Sequence, residues 1–403
     1  MPAIVFVNRF FHPDESATSQ LLTALVAGLT ARQYVVRVVC SRQRYDDAQA
    51  ELPAREQIQG ASVHRIATTR FGRHRLIGRT IDYASFYVAC AFTLIRLLRR
   101  GDVLVLKTDP PLLSLIGVPL ASLTGARLVN WQQDVFPEVA SRLDANPLPR
   151  WLDRAVRRMR DASLRSSRMT VVIGTRMRDH FAARGIPPSR LRVIENWADP
   201  EAIKPKPSDA SALRSALGLR DRFVACYSGN LGRAHEFETL LAAAQLLKRD
   251  RRFVFLMIGD GAKMAALKRR VVEQALENFC FLPFQAREDL DDVLAAGDVH
   301  VASLLPTLEG LIVPSKMYGV FAAGRPLIFV GDADGEVARV IDNAHCGVTV
   351  PVNDGQGLAD QLRYLQEESA VRLDMGVRAR DLVCRRYSTA RAIDRWVAML
   401  SSI

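Results

Sequence analysis

Short apolar runs rich in β-branched residues alternate with longer stretches in which apolar positions recur every three or four residues. Residues 3–8 (AIVFVN) and 34–40 (YVVRVVC) read as strands, with a helix over 16–30 between them. Further strands are expected at 102–106, 127–131, 169–173 and 192–194. Strands that are apolar along their whole length and separated by helices mark a parallel sheet covered on both faces. The segment 201–208 (EAIKPKPS) breaks the pattern, because its Pro and Lys residues carry no apolar period. The alternation then restarts, with strands at 223–228, 253–258, 280–284, 299–303, 327–330 and 348–350 and a closing helix at 389–401. The expected organisation is therefore α/β: a Rossmann-like doubly wound domain at 1–200, a linker at 201–208 and a second such domain at 209–388. The terminal helix, 389–403, is expected to return to the first domain. Ligands of such sheets bind at the carboxyl ends of the strands, so the natural site is the cleft between the two units.

Composition agrees with this reading. A length of 403 residues exceeds what one hydrophobic core usually spans. Hydrophobic residues at 49% and charged residues at 24% are ordinary for a globular chain. The start, MPAIVFVNRF, has no basic segment before its apolar run and reads as a first strand rather than a signal peptide. The best candidate for a membrane span, residues 83–98, is cut by Arg96 and followed by Arg99 and Arg100. It is too short and too charged to cross a bilayer. The six cysteines stand singly in or beside apolar segments, none at a metal-ligand spacing, which implies a reducing compartment and no structural metal.

The net charge of +12 requires an explanation. Nucleic acid, an anionic membrane and a phosphorylated substrate all attract such a chain. No helix-turn-helix, zinc-finger or RNA-binding signature is present, so nucleic acid is not the expected partner. Two basic, apolar regions stand out: 73–79 leading into 83–100, and 149–168 with Arg150, Arg154, Arg157, Arg158, Arg160 and Arg165. Five of these arginines recur at three- and four-residue steps and can share a helical flank. Such a flank suits either an interfacial helix on an anionic membrane or a solvated helix face.

Five segments carry candidate chemistry. The loop at 10–20 follows the first strand and opens a helix. Its small residues Ser16, Ala17 and Thr18 let backbone amides approach an anion. Asp14 and Glu15 either act on an acceptor hydroxyl or serve the helix start. In the second unit the matching loop, YSGNLGRAHEFETLL at 227–241, has Gly229 and Gly232 for tight turns and Arg233 and His235 before the next helix. A diphosphate needs amide donors and a cation, and this loop supplies both. The segment at 306–326, PTLEGLIVPSKMYGVFAAGRP, places Glu309 on a loop and Lys316 at a helix start. There a carboxylate can accept from sugar hydroxyls and a lysine can neutralise a leaving phosphate. Asp134 and Glu138 follow a strand in WQQDVFPE at 131–138, where a carboxylate can position or deprotonate an acceptor hydroxyl, or Asp134 can cap the next helix. Glu336 follows the strand at 327–330, either touching a donor sugar or starting a helix.

Together with VIENWAD at 193–199, IGDGA at 258–262 and VPVNDGQGLADQL at 350–362, these segments resemble the retaining GT-B glycosyltransferases of family 4. Within that family they most resemble the colanic acid and O-antigen branch of the WbuB and WcaI type, over nearly the whole chain. The resemblance implies a nucleoside diphosphate-sugar, UDP before GDP, held by the C-terminal domain, and a polyprenyl-diphosphate-linked saccharide acceptor held by the N-terminal domain. It implies no metal and no cofactor beyond that co-substrate, and a place on the inner face of the cytoplasmic membrane. Glu309 is then the catalytic-centre glutamate, with Asp134 and Glu138 as further catalytic candidates and Asp14, Glu15 and Gln133 on the acceptor side. The diphosphate falls to Ser16, Ala17, Gly229, Asn230, Gly232, Arg233, His235 and Lys316. The nucleoside falls to Gly259, Phe284, Pro314, Ser315 and Tyr318. The chain departs from the family at three points. The second glutamate of the Glu-x7-Glu pattern is Gly319, the usual phosphate arginine and lysine are Asn230 and His235, and the usual histidine near the anomeric carbon is Gln133. Arg233 and Lys316 are the expected substitute cations. A nucleotide-sugar 2-epimerase and a non-catalytic partner subunit share the same architecture and are the competing functions.

Overall fold

The structure is a computed structural model that describes residues 2–45, 47–71, 76–145 and 148–403. It divides into two compact units, Met1–Glu195 with Ala392–Ile403, and Asn196–Arg391. The strands are numbered in chain order. In unit 1 they are β1 (Ile4–Val7), β2 (Val36–Ser41), β3 (Arg55–Ile58), β4 (Ala61–Ile66), β5 (Val103–Lys107), β6 (Arg127–Trp131), β7 (Met169–Val172) and β8 (Leu191–Val193). In unit 2 they are β9 (Phe223–Ser228), β10 (Phe253–Ile258), β11 (Phe279–Leu282), β12 (Val299–Ser303), β13 (Leu327–Val330) and β14 (Gly347–Val350).

The unit 1 sheet has the order β3-β4-β2-β1-β5-β6-β7-β8. All its pairings are parallel except the β3–β4 hairpin at the edge. That hairpin was not expected from the sequence. Its first strand, REQI, is mostly exposed and has no apolar run to betray it. Its turn is made by Gln59 and Gly60, both at positive φ. One sheet face is covered by the Leu76–Leu97 and Ser114–Thr124 helices, whose Phe86, Cys90, Leu94 and Leu120 pack on Val5, Val7, Leu104 and Leu106. Within the same unit the C-terminal helix residue Trp396 meets Trp131 edge-on, with ring centroids 4.8 Å apart, and Phe6 at 6.3 Å. Gly28 of the Ala17–Ala31 helix lies so close to Ile393 that a Cβ there would sit 2.1 Å from its Cδ1.

The unit 2 sheet has the order β11-β10-β9-β12-β13-β14 and is parallel throughout. Among the parallel strands of each sheet the order reverses at one place. In unit 1 it lies beside β1, flanked by β2 and β5; in unit 2 it lies beside β9, flanked by β10 and β12. Crevices open at such switch points, so the loops after β1, β5, β9 and β12 are the ones the fold offers to ligands.

Candidate functional site

In unit 2 the loops after β9 and β10 are stitched together by backbone hydrogen bonds. Gly229 N donates to Ile258 O (2.8 Å), Leu231 N to Asp260 O (2.7 Å) and Lys263 N to Leu231 O (3.0 Å). The approach requires glycine. At Gly259, with φ at +120°, a Cβ would lie 2.4 Å from the Gly229 carbonyl oxygen. The loop after β12 joins the same assembly through Leu305 N to Ala234 O (3.0 Å) and through Ser303 Oγ, which donates to Glu236 O (2.7 Å).

Three cations result. Arg233 is exposed on the loop. The Lys316 ammonium lies 3.6 Å from the Tyr227 ring centroid and donates to the Asn230 carbonyl at 3.4 Å. Its pKa is pushed down to about 7 by burial, although part of the side chain still reaches solvent. Lys263, which the sequence reading did not single out, donates to the His235 carbonyl. It is the residue directly after the IGDGA segment, and a lysine just past a glycine turn beside the phosphate loop was the available signal. His235 is not a cation. Burial, aided by the charges of Lys316 and Lys263, pushes its pKa down to about 3. Its Nδ1 lies 2.6 Å from the Ser303 carbonyl oxygen, so that nitrogen carries the proton. His235, expected among the diphosphate-binding residues, is a neutral, loop-fixing group and brings no positive charge to that site.

Glu309 follows the turn Pro306–Leu308, and Gly310 after it has a φ of +73°. Its Oε2 accepts the backbone N–H of Glu336 at 3.1 Å. Glu336 is the first residue of the Glu336–Ala344 helix, so the carboxylate sits on the positive end of that helix. Gly335 makes room for it, since a Cβ there would lie 2.4 Å from Glu309 Oε1. Two strand ends are thereby joined through one acidic side chain held in a fixed orientation. Glu336 itself starts the helix.

The nucleoside candidates divide. The Phe284 ring is exposed and lies against Gly259, 3.1 Å from where a Cβ would stand. Phe284 lies beyond the end of β11, not within the strand. Ser315 is exposed at the start of the Lys316–Ala322 helix, and Pro314 is buried. Tyr318 is corrected: it is buried and meets Tyr387 edge-on at 5.2 Å, so its ring braces the helix instead of offering a surface. At Gly319, where the family carries a second glutamate, a Cβ would have only Leu294 Cδ1 within contact range, at 3.8 Å.

In unit 1, Ser16 is the N-cap of the Ala17–Ala31 helix but makes no side-chain cap bond. Asp14 is buried, and its carboxylate accepts from Ser16 N (2.9 Å), Ser16 Oγ and Tyr45 N. Of the two readings left open for Asp14, an acceptor-side group and a residue serving the helix start, these contacts fit the second: its oxygens tie the loop together. Glu15 and Ala17 are exposed. Gln133 is buried, with its backbone N donating to Thr108 Oγ1 at 3.3 Å. Glu138 is also corrected. Arg160 grips both its oxygens, Nη2 to Oε1 at 2.7 Å and Nη1 to Oε2 at 2.8 Å, and Arg157 and Arg184 stand at 3.5 and 3.8 Å. Burial alone would raise its pKa, but His180 and Arg160 beside it hold it far below the usual range. It is a buried structural anion. Arg160 also donates to the Phe136 carbonyl (2.8 Å) and so fixes the segment 131–138.

Asp134 keeps its place as a reactive candidate. It is exposed to solvent yet crowded by protein, and that desolvation, reinforced by the charge of Asp109, pushes its pKa up to about 6 against the pull of Lys107. Lys107 was not foreseen. It closes the otherwise apolar strand β5 at the switch point, which was a readable sign. Buried, it donates to the Thr18 carbonyl (2.8 Å), lies 3.7 Å from the Trp131 ring centroid and is pushed down to about 7 by burial. Lys107, Gln132, Asp134 and Arg160 line one small cavity with Asn130, whose side-chain oxygen and nitrogen have no protein partner.

Residues 18–197 match the family described as glycosyl transferase 4-like domain, and residues 222–368 match the glycosyl transferases of group 1. A protein of Pseudomonas aeruginosa named as the glycosyltransferase WbjE is 29% identical over 332 residues, covering 82% of both chains. One of Escherichia coli (strain K12), named as the colanic acid biosynthesis glycosyl transferase WcaI, is 24% identical over 344 residues, covering 82% of this chain and 84% of its own. Among solved structures, Anabaena Alr3699/HepE in complex with UDP-glucose shares the fold, with a TM-score of 0.74 at 16% identity and full coverage of both chains.

Proposed function

Because the chain belongs to the group 1 glycosyl transferases and has their GT-B fold, we propose that it moves a sugar from a UDP-sugar to a lipid-linked saccharide in the assembly of a bacterial surface polysaccharide. The observation that carries the donor half is the stitched set of loops after β9, β10 and β12. It brings Lys263 and Lys316 onto the loop that carries Arg233 and holds Glu309 on a helix start. A UDP diphosphate takes its charge neutralisation from these cations, so transfer needs no metal. Phe284 above Gly259 offers a flat face to the uracil. Glu309, held by the Glu336 amide, faces the sugar near its anomeric carbon and stabilises positive charge as the bond to the diphosphate breaks. Asp134, near neutrality in its pKa, receives or relays the proton of the acceptor hydroxyl, and the product keeps the anomeric configuration of the donor. WcaI is named for colanic acid biosynthesis, which supports a saccharide of the cell surface as the product class. The acceptor is carried by a polyprenyl diphosphate, which places the enzyme against the anionic inner face of the cytoplasmic membrane.

A thermal-shift panel of nucleoside diphosphates tests the donor reading, because a ligand of the folded state raises its stability. UDP is expected to raise the melting midpoint more than ADP or GDP. No rise with any of the three overturns the proposal.

A further inference from the structure

The Leu76–Leu97 helix is apolar on two sides. Its inner side gives Phe86, Cys90 and Leu94 to the core of unit 1. A helix with one side in the core ordinarily turns polar residues outward. Here Ile77, Ile81, Val88, Phe92 and Ile95 are all exposed and recur at steps of three, four and seven residues, with Val88 at 58% and Phe92 at 59% of full exposure. The stripe runs the length of a helix of about 33 Å.

The neighbouring helices extend this face. The Ser114–Thr124 helix packs against the first, and the Arg150–Ser166 helix packs on the second, with Ser163 Oγ donating to Ser114 Oγ at 2.8 Å. They add exposed Leu123, Trp151 and Met159. The exposed charges on and just after these three helices are all arginines: 96, 99 and 100 on the first, and 150, 154, 158, 165 and 168 on the third. None of the three exposes an acidic side chain: Asp82 and Asp161 are buried, and Asp153 is half-buried and takes the Arg157 guanidinium at 2.7 Å. Pairing this face with a second copy of itself would set arginine against arginine. An apolar face whose exposed charges on these helices are all arginines is instead complementary to anionic headgroups over acyl chains. No helix among the described residues is long and apolar enough to cross a membrane, so the contact is in the plane of the surface.

We propose that this three-helix layer docks unit 1 on an anionic bilayer, the Leu76–Leu97 helix lying flat with Val88, Phe92 and Ile95 at the acyl boundary and Trp151 with the arginines among the headgroups. The inference deepens the membrane part of the proposed function and does not depend on the identity of the donor. It also goes past charge attraction: the apolar stripe holds the protein when salt has screened the arginines.

Trp151 reports on the contact directly, because Trp131, Trp197 and Trp396 are buried. The full chain is mixed with vesicles of phosphatidylcholine, with and without phosphatidylglycerol, at low and high salt. Binding is read by co-sedimentation, and Trp151 emission by quenching from brominated acyl chains. The expected result is binding to the anionic vesicles, quenching of Trp151, and residual binding at high salt. The double variant Val88→Asp/Phe92→Asp should bind at least about tenfold more weakly, since it exchanges two acyl-facing side chains for charges. Its UDP-induced thermal shift should match wild type, which certifies that it folds. Variant binding equal to wild type, unquenched Trp151, or a wild-type dimer that ignores vesicles each overturns the docking proposal. Wild-type vesicle binding without any UDP response would instead count against the donor reading and leave the docking proposal standing.

Discussion

Replacing Glu309 by glutamine separates a catalytic from an architectural role, and the structure allows both effects to be sized. The carboxylate accepts the backbone N–H of Glu336 at 3.1 Å, at the start of a nine-residue helix. Glutamine keeps a carbonyl that can accept the same bond but loses the charge. A charge-assisted bond contributes about 1.5–3 kcal/mol and a neutral one about 0.5–1.5, so the architectural loss is about 1 kcal/mol. In a unit of this size that lowers the melting midpoint by about 2–4 °C. If the same oxygen stabilises charge on the sugar as it departs, the further loss falls on the transition state. Removing a preorganised electrostatic contact of that kind costs about a hundredfold or more in turnover. The assay is steady-state transfer, with UDP affinity and thermal midpoint measured on the same preparation of Glu309→Gln. The expected outcome is a fall in kcat of about a hundredfold, with UDP affinity within about threefold of wild type. A variant that loses the few degrees but turns over at the wild-type rate per folded molecule would refute the catalytic assignment. Glu309 would then be a helix cap alone.

Arg233→Ala and Lys316→Ala should each weaken UDP by about tenfold or more, the loss of one charge-assisted contact to phosphate, and unchanged titrations in both would remove the diphosphate from this loop. The pH dependence follows from Lys316: its pKa in the unliganded protein is about 7 and only the ammonium binds phosphate, so UDP affinity should fall by up to about tenfold per pH unit above that value and level off below it. Lys316→Arg should flatten that profile. Arg160→Ala should destabilise unit 1 by about 3 kcal/mol by stranding Glu138, the low end for a broken buried pair because Arg157 and Arg184 remain nearby; chemical denaturation checks this, and a change under about 1 kcal/mol would show the pair to be dispensable. Transfer activity should survive excess EDTA, and a loss that manganese or magnesium restores would refute neutralisation by cations alone.

The strands were legible where burial on both faces made them uninterruptedly apolar, as at 253–258 and 327–330, where reading and structure coincide. The β3–β4 hairpin was not, because an exposed edge strand such as REQI carries no apolar signature. Loop chemistry was legible as position: the segments at 10–20, 227–241 and 306–326 follow β1, β9 and β12 beside the two switch points. Side-chain roles were less so, because they depend on partners distant in sequence. Periodicity put Arg157 on one flank with Arg154 and Arg158, but Arg157 turns inward toward Asp153 and Glu138 while the other two stay exposed. Arg160 is buried by Glu138, 22 positions away. Glu309 meets its helix through Glu336, 27 positions on. Of the basic run at 73–79, Arg73, His74 and Arg75 lie outside the described residues.

The central claim is glycosyl transfer from a nucleoside diphosphate-sugar to a lipid-linked saccharide, and the mass of the acceptor tests it most directly. Purified protein is incubated with polyprenyl-diphosphate saccharides from a bacterial membrane extract and a panel of UDP-sugars, and the lipid fraction is read by mass spectrometry, with the anomeric configuration of any product assigned by NMR. The account predicts that one UDP-sugar extends an acceptor by a single hexose-class residue with retained configuration, and that Glu309→Gln abolishes most of that product. An unextended acceptor pool, accompanied by an epimerised free sugar or by no turnover of any donor, would contradict it.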